Sequence, residues 1–210
     1  MLVMNEHSQL TLKHDVLYAI RDGKEIPDLP NPTVLPDDMI RDAFPIFVIR
    51  NPVFSVPSNY VIFKATSTIR PGDFSWNVAT GSNLQRMLFD KIKAQHGQSP
   101  LVVDGDDVVW RPEEVSDAVC RALGLDGELS DTWEPVPKEK RHWSSSIRMF
   151  LQMIDDSTGI QRATGDRPDT DIDKAYAKWK DEYGEEAANG IKETVERNRE
   201  HYEYLKQFKV

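Results

Sequence analysis

Cysteine is almost absent: Cys120 is the single thiol among 210 residues. That excludes an intrachain disulfide framework and any metal cluster built on cysteine, and a lone thiol fits a reducing compartment. Positive charge is scarce too, with 26 Lys and Arg against 35 Asp and Glu, a formal net charge of −9. A chain with pI ≈ 5.1 lacks the basic field that general nucleic-acid binding requires and is not suited to anionic membranes. A local pocket can still oppose the global sign for one small anionic ligand. No apolar run approaches the ~20 residues of a membrane span. Nor do the first residues show the basic flank, apolar stretch and cleavage site of a signal peptide, so cytoplasm is the expected location. A Gly-rich loop ending in Gly-Lys-Ser/Thr is missing as well, since Gly23-Lys24 runs into Glu25.

What is present is enough for a globular core. Hydrophobic residues make up 39% and charged residues 29%, a composition that folds as one domain or a domain with an appendage. Leu2-Val3-Met4 reads as a strand with Asn5, Glu6 and His7 at its carboxyl end. Residues 23–37 hold Gly23, Pro27, Pro30, Pro32 and Pro36, too many breakers for a helix. Asp37 or Asp38 then caps a short helix through Ala43. Pro45 to Ile49 is a continuous apolar run, the pattern of a parallel strand buried on both faces. A helix follows Pro52, with Pro57 bending it or delaying its start.

Residues 65–76 read as a loop, and Leu84, Met87, Leu88 and Ile92 mark a helix ending near Gly97. Leu101-Val102-Val103 is a second buried strand leading into Asp104-Gly105-Asp106-Asp107. Pro112 starts a helix that Gly124 stops. Residues 130–142 are irregular, 144–155 helical, and 164–170 a polar linker. Helices Ile172–Tyr183 and Glu185–Gln207 finish the chain. Strand alternating with helix predicts an α/β layered fold, a parallel sheet flanked by helices. The expected division is a core over 1–163 and a helical C-terminal extension over 164–210 packed on it.

Ligands of such folds gather at the carboxyl ends of the strands. There, Arg50 leaves the first buried strand and Ser58 follows eight residues later, near the start of the next helix. A guanidinium fork, a hydroxyl and the positive end of a helix would together clamp a phosphate. The competing reading pairs Arg50 with one of the many acids and leaves Ser58 as a cap. Asp104, Asp106 and Asp107 form either a divalent-cation cluster or, more commonly, a turn with helix-capping acids; no metal is expected. Phe74 and Trp76 line a pocket or seal the core. The stripe Ile191, Val195, Tyr202 and Leu205 is most simply a helix packed on the domain.

The Arg50-Asn51-Pro52…Ser58 stretch resembles the 3′-phosphate motif of the sulfotransferases, which move a sulfuryl group from 3′-phosphoadenylyl sulfate to a hydroxyl or amine. Pro100 to Asp107, Pro112-Glu113, Cys120…Leu123-Gly124-Leu125, Thr132-Trp133-Glu134-Pro135 and Ser157-Thr158-Gly159-Ile160 are similar to that family's broad microbial branch. The resemblance covers most of residues 1–160. It implies a P-loop-type α/β fold, Arg50 and Ser58 as ligands of the nucleotide 3′-phosphate, and adenosine 3′,5′-bisphosphate as the product form of the cofactor. It also gives meaning to Asn5-Glu6-His7: His7 matches the family's general base, while Asn5 stands where many members carry Lys. A neutral imidazole takes a hydroxyl proton, but Asn5 cannot neutralise developing negative charge. In the same family a basic and aromatic C-terminal loop touches the nucleotide. Arg141-His142-Trp143 lies in that region, though a surface loop is the simpler reading.

The family's 5′-phosphosulfate loop has no counterpart in this sequence, so the chain looks like the back part of a sulfotransferase. The implied sheet is incomplete, with open edges; a truncated gene model, another segment, partner chain or second copy that fills the gap, or a reorganised fold would each account for it. Three functional readings follow. The first is sulfuryl transfer to a small hydroxylated acceptor. The second is a scaffold repurposed as a cofactor-independent cyclase, isomerase or lyase. The third is a non-catalytic, degenerate homologue.

Overall fold

The computed structural model describes residues 7–141 and 145–210. The expected first strand and Asn5 lie outside the described residues, as do His142 and Trp143. Two strands, β1 (Ile46–Ile49) and β2 (Leu101–Asp104), pair in parallel with Ile46 opposite Leu101 and Ile49 opposite Asp104. The end of the chain lies along β2: Lys209 bridges Val102, and the Val210 amide donates to the Val102 carbonyl at 3.1 Å. Around this pair run α1 (His14–Arg21), α2 (Asp37–Asp42), α3 (Pro52–Thr66), α4 (Phe74–Thr80), α5 (Ser82–His96), α6 (Gly105–Trp110), α7 (Pro112–Leu123), α8 (Ser145–Asp156), α9 (Ile172–Tyr183) and α10 (Glu185–Lys206).

Most boundaries follow from local chemistry. Pro52 opens α3, where its missing N–H costs nothing, and the Asn51 side chain accepts from the Val53 amide. Asp171 caps α9 by accepting from the amides of Asp173 and Lys174. Gly97 and Gly124 adopt left-handed conformations, φ 68° and 64°, and stop α5 and α7. Pro57 neither delays α3 nor divides it; the helix runs through it to Thr66. Three helices depart from the sequence expectation: α1 has no counterpart in it, α4 starts inside the stretch 65–76 expected as a loop, and the acidic turn expected at 104–107 opens into α6.

The two strands differ in cover. In β2, Val102 packs with Phe89 and Leu205 on one face while Val103 meets Val115 and Val119 of α7 on the other. In β1, Phe47 and Ile49 are buried, but Ile46 is 40% and Val48 62% exposed. The expectation that β1 is buried on both faces is therefore corrected. A continuous apolar run reports only that both faces tolerate burial, and among the described residues nothing covers Val48 as α7 covers its neighbour Val103.

The last helix holds the molecule together. Its residues Tyr202 and Leu205 join Phe47, Ile49, Phe89 and Val102 in one apolar cluster. Its residues Ala188, Ile191 and Val195 join Val53, Val56, Tyr60, Trp76 and Trp179 in another. Helices α9 and α10 thus complete the apolar interior begun by residues before 163. Among the described residues, no helix is long and apolar enough to cross a membrane.

Candidate functional site

Strand β1 delivers Arg50 just past its carboxyl end, one residue beyond the Ile49–Asp104 pair that closes the register. Helix α3 then carries Val53, Phe54, Pro57, Ser58 and Val61 along one side, the spacing of a single helical face. These residues and Arg50 line one wall of a cavity of about 530 Å³. Arg50 and Ser58 are thus brought together. Both are exposed, and neither side chain makes a hydrogen bond or ion pair among the described residues. The Arg50 charge acts on the Asp106 carboxylate across the strand ends.

One part of the expected clamp is altered. Ser58 sits in the second turn of α3, not at its start. The helix start is already satisfied internally, because the Val53 amide donates to the Asn51 side chain and the Phe54 and Ser55 amides to the Asn51 carbonyl, each at 3.0 Å. Any anion held here is held by side chains, with the helix dipole as background.

The opposite wall comes from α9 and the segment before it, which sequence reasoning did not connect to Arg50. It includes Asp169, Lys174, Lys178, Trp179, Glu182 and Tyr183. Lys174 is tied to Asp169 at 2.8 Å. Trp179 is buried, and Tyr183 stacks at a tilt on Tyr60 with ring centroids 5.1 Å apart. Burial, with Glu182 beside it, pushes the Tyr183 phenol up from its usual range. The sequence signal was the pattern Lys174, Lys178, Glu182 with Ala175 and Trp179, which places charge and aromatic surface on one face.

The acidic turn after β2 is structural. Asp104, buried, accepts from the Tyr202 hydroxyl at 2.7 Å and from the Asp106 amide at 3.1 Å. Asp107, also buried, meets Arg111 at 2.8 Å, Arg167 at 3.3 Å and Lys209. Burial works to raise its carboxyl, but the bonds to Arg111 and Lys209 outweigh that and hold it well below the carboxylate range. Asp106 is raised by burial and by Asp104, with Arg50 pulling the other way. Among the described residues, no group of three or more His, Cys, Asp or Glu is placed to hold a metal.

His7 is exposed and precedes a 3-10 turn over Ser8–Thr11; it is not part of the wall that Arg50 and Ser58 share. Trp76 is fully buried and donates to the Thr194 hydroxyl at 2.9 Å, so it seals the core. Arg141 locks its own loop through the Val136 and Asp155 carbonyls and the Asp156 carboxylate.

The chain is similar to two curated fungal proteins. It is 28% identical over 191 residues to the "Sulfotransferase ppzF" of Metarhizium majus (strain ARSEF 297) and 27% identical over 190 residues to that of Metarhizium rileyi (strain RCEF 4871). Each match takes in 84% of this chain and 55% of the relative, so the chain spans about half the length of the curated relatives it matches. No family model and no solved structure matches. The similarity supports a sulfotransferase-like family.

Proposed function

We propose that this chain holds the 3′-phosphate end of 3′-phosphoadenylyl sulfate, with Arg50 and Ser58 as the gripping residues, and that the protein transfers a sulfuryl group to a small hydroxylated acceptor. The reading rests on one observation: Arg50 and Ser58 line the same cavity while neither is engaged by another protein group among the described residues. In an acidic protein with many carboxylates to pair with, an Arg left open at a cavity suits an incoming anion.

The apolar and aromatic part of the remaining lining suits the nucleoside half of the ligand. Phe54 and Tyr183 offer ring surface for a base, and Val53, Pro57 and Val61 exclude water beside it. The other half is not matched in the same way, since the sequence holds no Gly-Lys-Ser/Thr loop for the sulfonate-bearing phosphate. When bound, 3′-phosphoadenylyl sulfate supplies the sulfuryl group for an acceptor oxygen. Arg50 binds the 3′-phosphate as a two-pronged donor and fixes its orientation; Ser58 donates its hydroxyl to a remaining oxygen. His7, exposed to solvent, is the base of this reading and takes the acceptor hydroxyl proton at an imidazole nitrogen.

Titration calorimetry with adenosine 3′,5′-bisphosphate tests the nucleotide site. Arg50→Ala is expected to weaken binding by about 1.5–3 kcal/mol, the scale of a hydrogen bond to a charged group. No heat and no competition at millimolar nucleotide would overturn the reading.

A further inference from the structure

We infer that Lys178 of α9 is the second cation of the phosphate site, reaching the ligand from the wall facing Arg50 and Ser58; this rests on the nucleotide reading above. Helices α3 and α9 face one another across the cavity, and each presents one side of its surface to it. On the α9 side the lysines divide sharply. Lys174 is bound to Asp169 and Lys180 to Glu185, both at 2.8 Å. Lys178 makes no hydrogen bond or ion pair among the described residues, although Asp169 lies within its field. That carboxylate already has Lys174 as its partner, so the Lys178 ammonium keeps its hydrogen-bonding capacity for a ligand.

The consequence is a site with two cations on opposite walls and one hydroxyl between them in sequence. A dianionic phosphate gains from both charges at once, because its oxygens point to both walls. An ammonium on a flexible stem complements a rigid guanidinium fork: Arg50 sets the geometry and Lys178 adapts to it. The arrangement also makes α9 a specificity element, since its wall brings the Trp179 and Tyr183 rings together with an open cation.

Calorimetry of the full 210-residue chain with adenosine 3′,5′-bisphosphate reads this directly. Lys178→Met is expected to weaken binding about tenfold, and Lys178→Arg to keep it within about threefold of the unmodified chain. Lys180→Met makes the same change in net charge from the other side of α9 and is expected to leave affinity unchanged. Both positions are exposed, so the melting curves of the three variants should coincide with that of the unmodified chain. Full affinity in Lys178→Met, or equal losses in Lys178→Met and Lys180→Met, overturns the inference while a large loss in Arg50→Ala leaves the parent reading standing. No binding by the unmodified chain overturns the parent reading and Lys178 with it.

Discussion

The hydroxyl of Tyr202 donates a 2.7 Å hydrogen bond to the carboxylate of Asp104, joining residues 98 apart in sequence, both of them buried. Asp104 ends β2 and caps α6 by accepting from the Asp106 amide. One carboxylate therefore starts a helix at the strand's carboxyl end and anchors α10 to it. Arg50 stands beside this junction, so the rigidity of the junction sets the position of the proposed phosphate ligand.

Removing that hydroxyl tests the anchor. Tyr202→Phe leaves the buried Asp104 carboxylate short of a donor and is expected to lower stability by about 1–3 kcal/mol in chemical denaturation. The pH dependence has a defined sign. Burial, then the bond to Asp104, holds the Tyr202 phenol above its usual range. Its contribution is fully present below about pH 10, where the unfolded phenol begins to ionise, and is lost as pH rises beyond that. Denaturation series above pH 10 should show a shallower decline in Tyr202→Phe; an unchanged slope would mean that the other tyrosines carry it.

Asp107 predicts the acid limb. Its carboxylate gathers Arg111, Arg167 and Lys209, which tie α7, the linker before α9 and the chain end to one buried group. Asp107→Asn leaves those cations without their shared partner. It is expected to cost about 2–4 kcal/mol at pH 7, the lower side of the range for a broken buried pair because the cations are partly exposed. Since the folded carboxyl is depressed, its contribution is present above about pH 4 and is lost as pH falls below that. The difference between wild type and Asp107→Asn, followed by urea denaturation, should hold steady above about pH 5 and shrink progressively as pH falls below about 4.

Gly190 tests packing against propensity. In the interior of a helix, Gly→Ala usually stabilises by about 1 kcal/mol. Here an added Cβ would press inside contact distance of the Pro71 Cβ, with the Pro71 Cγ at 3.2 Å. The Gly190 carbonyl also accepts from Thr194, whose hydroxyl in turn accepts from Trp76. Overpacking a rigid proline costs about 1–3 kcal/mol, so Gly190→Ala is expected to lower the melting temperature. A rise instead would show that the loop holding Pro71 yields freely.

Local chemistry made a large part of this protein legible. Gly97 and Gly124 stop their helices because only glycine enters the left-handed region without strain, and Pro52 starts one because the first turn needs no N–H. The bounds of α9 and the start of α10 follow from Asp171, Gly184 and the periodicity between them. That Arg50 and Ser58 line one cavity follows for the same reason: a strand end and the helix after it are neighbours along the chain. Other features were decided only by packing between distant residues. Helix α4 forms after Pro71-Gly72-Asp73 with Trp76 seated on Thr194, 118 residues away. Val48 stays exposed because no counterpart of α7 covers it among the described residues, and Lys178 lines the same cavity as Arg50 because α10 packs against both α9 and α3. Backbone stereochemistry acts over a few residues and is written in the sequence, whereas the wall opposite a site depends on which apolar faces find each other across the whole chain.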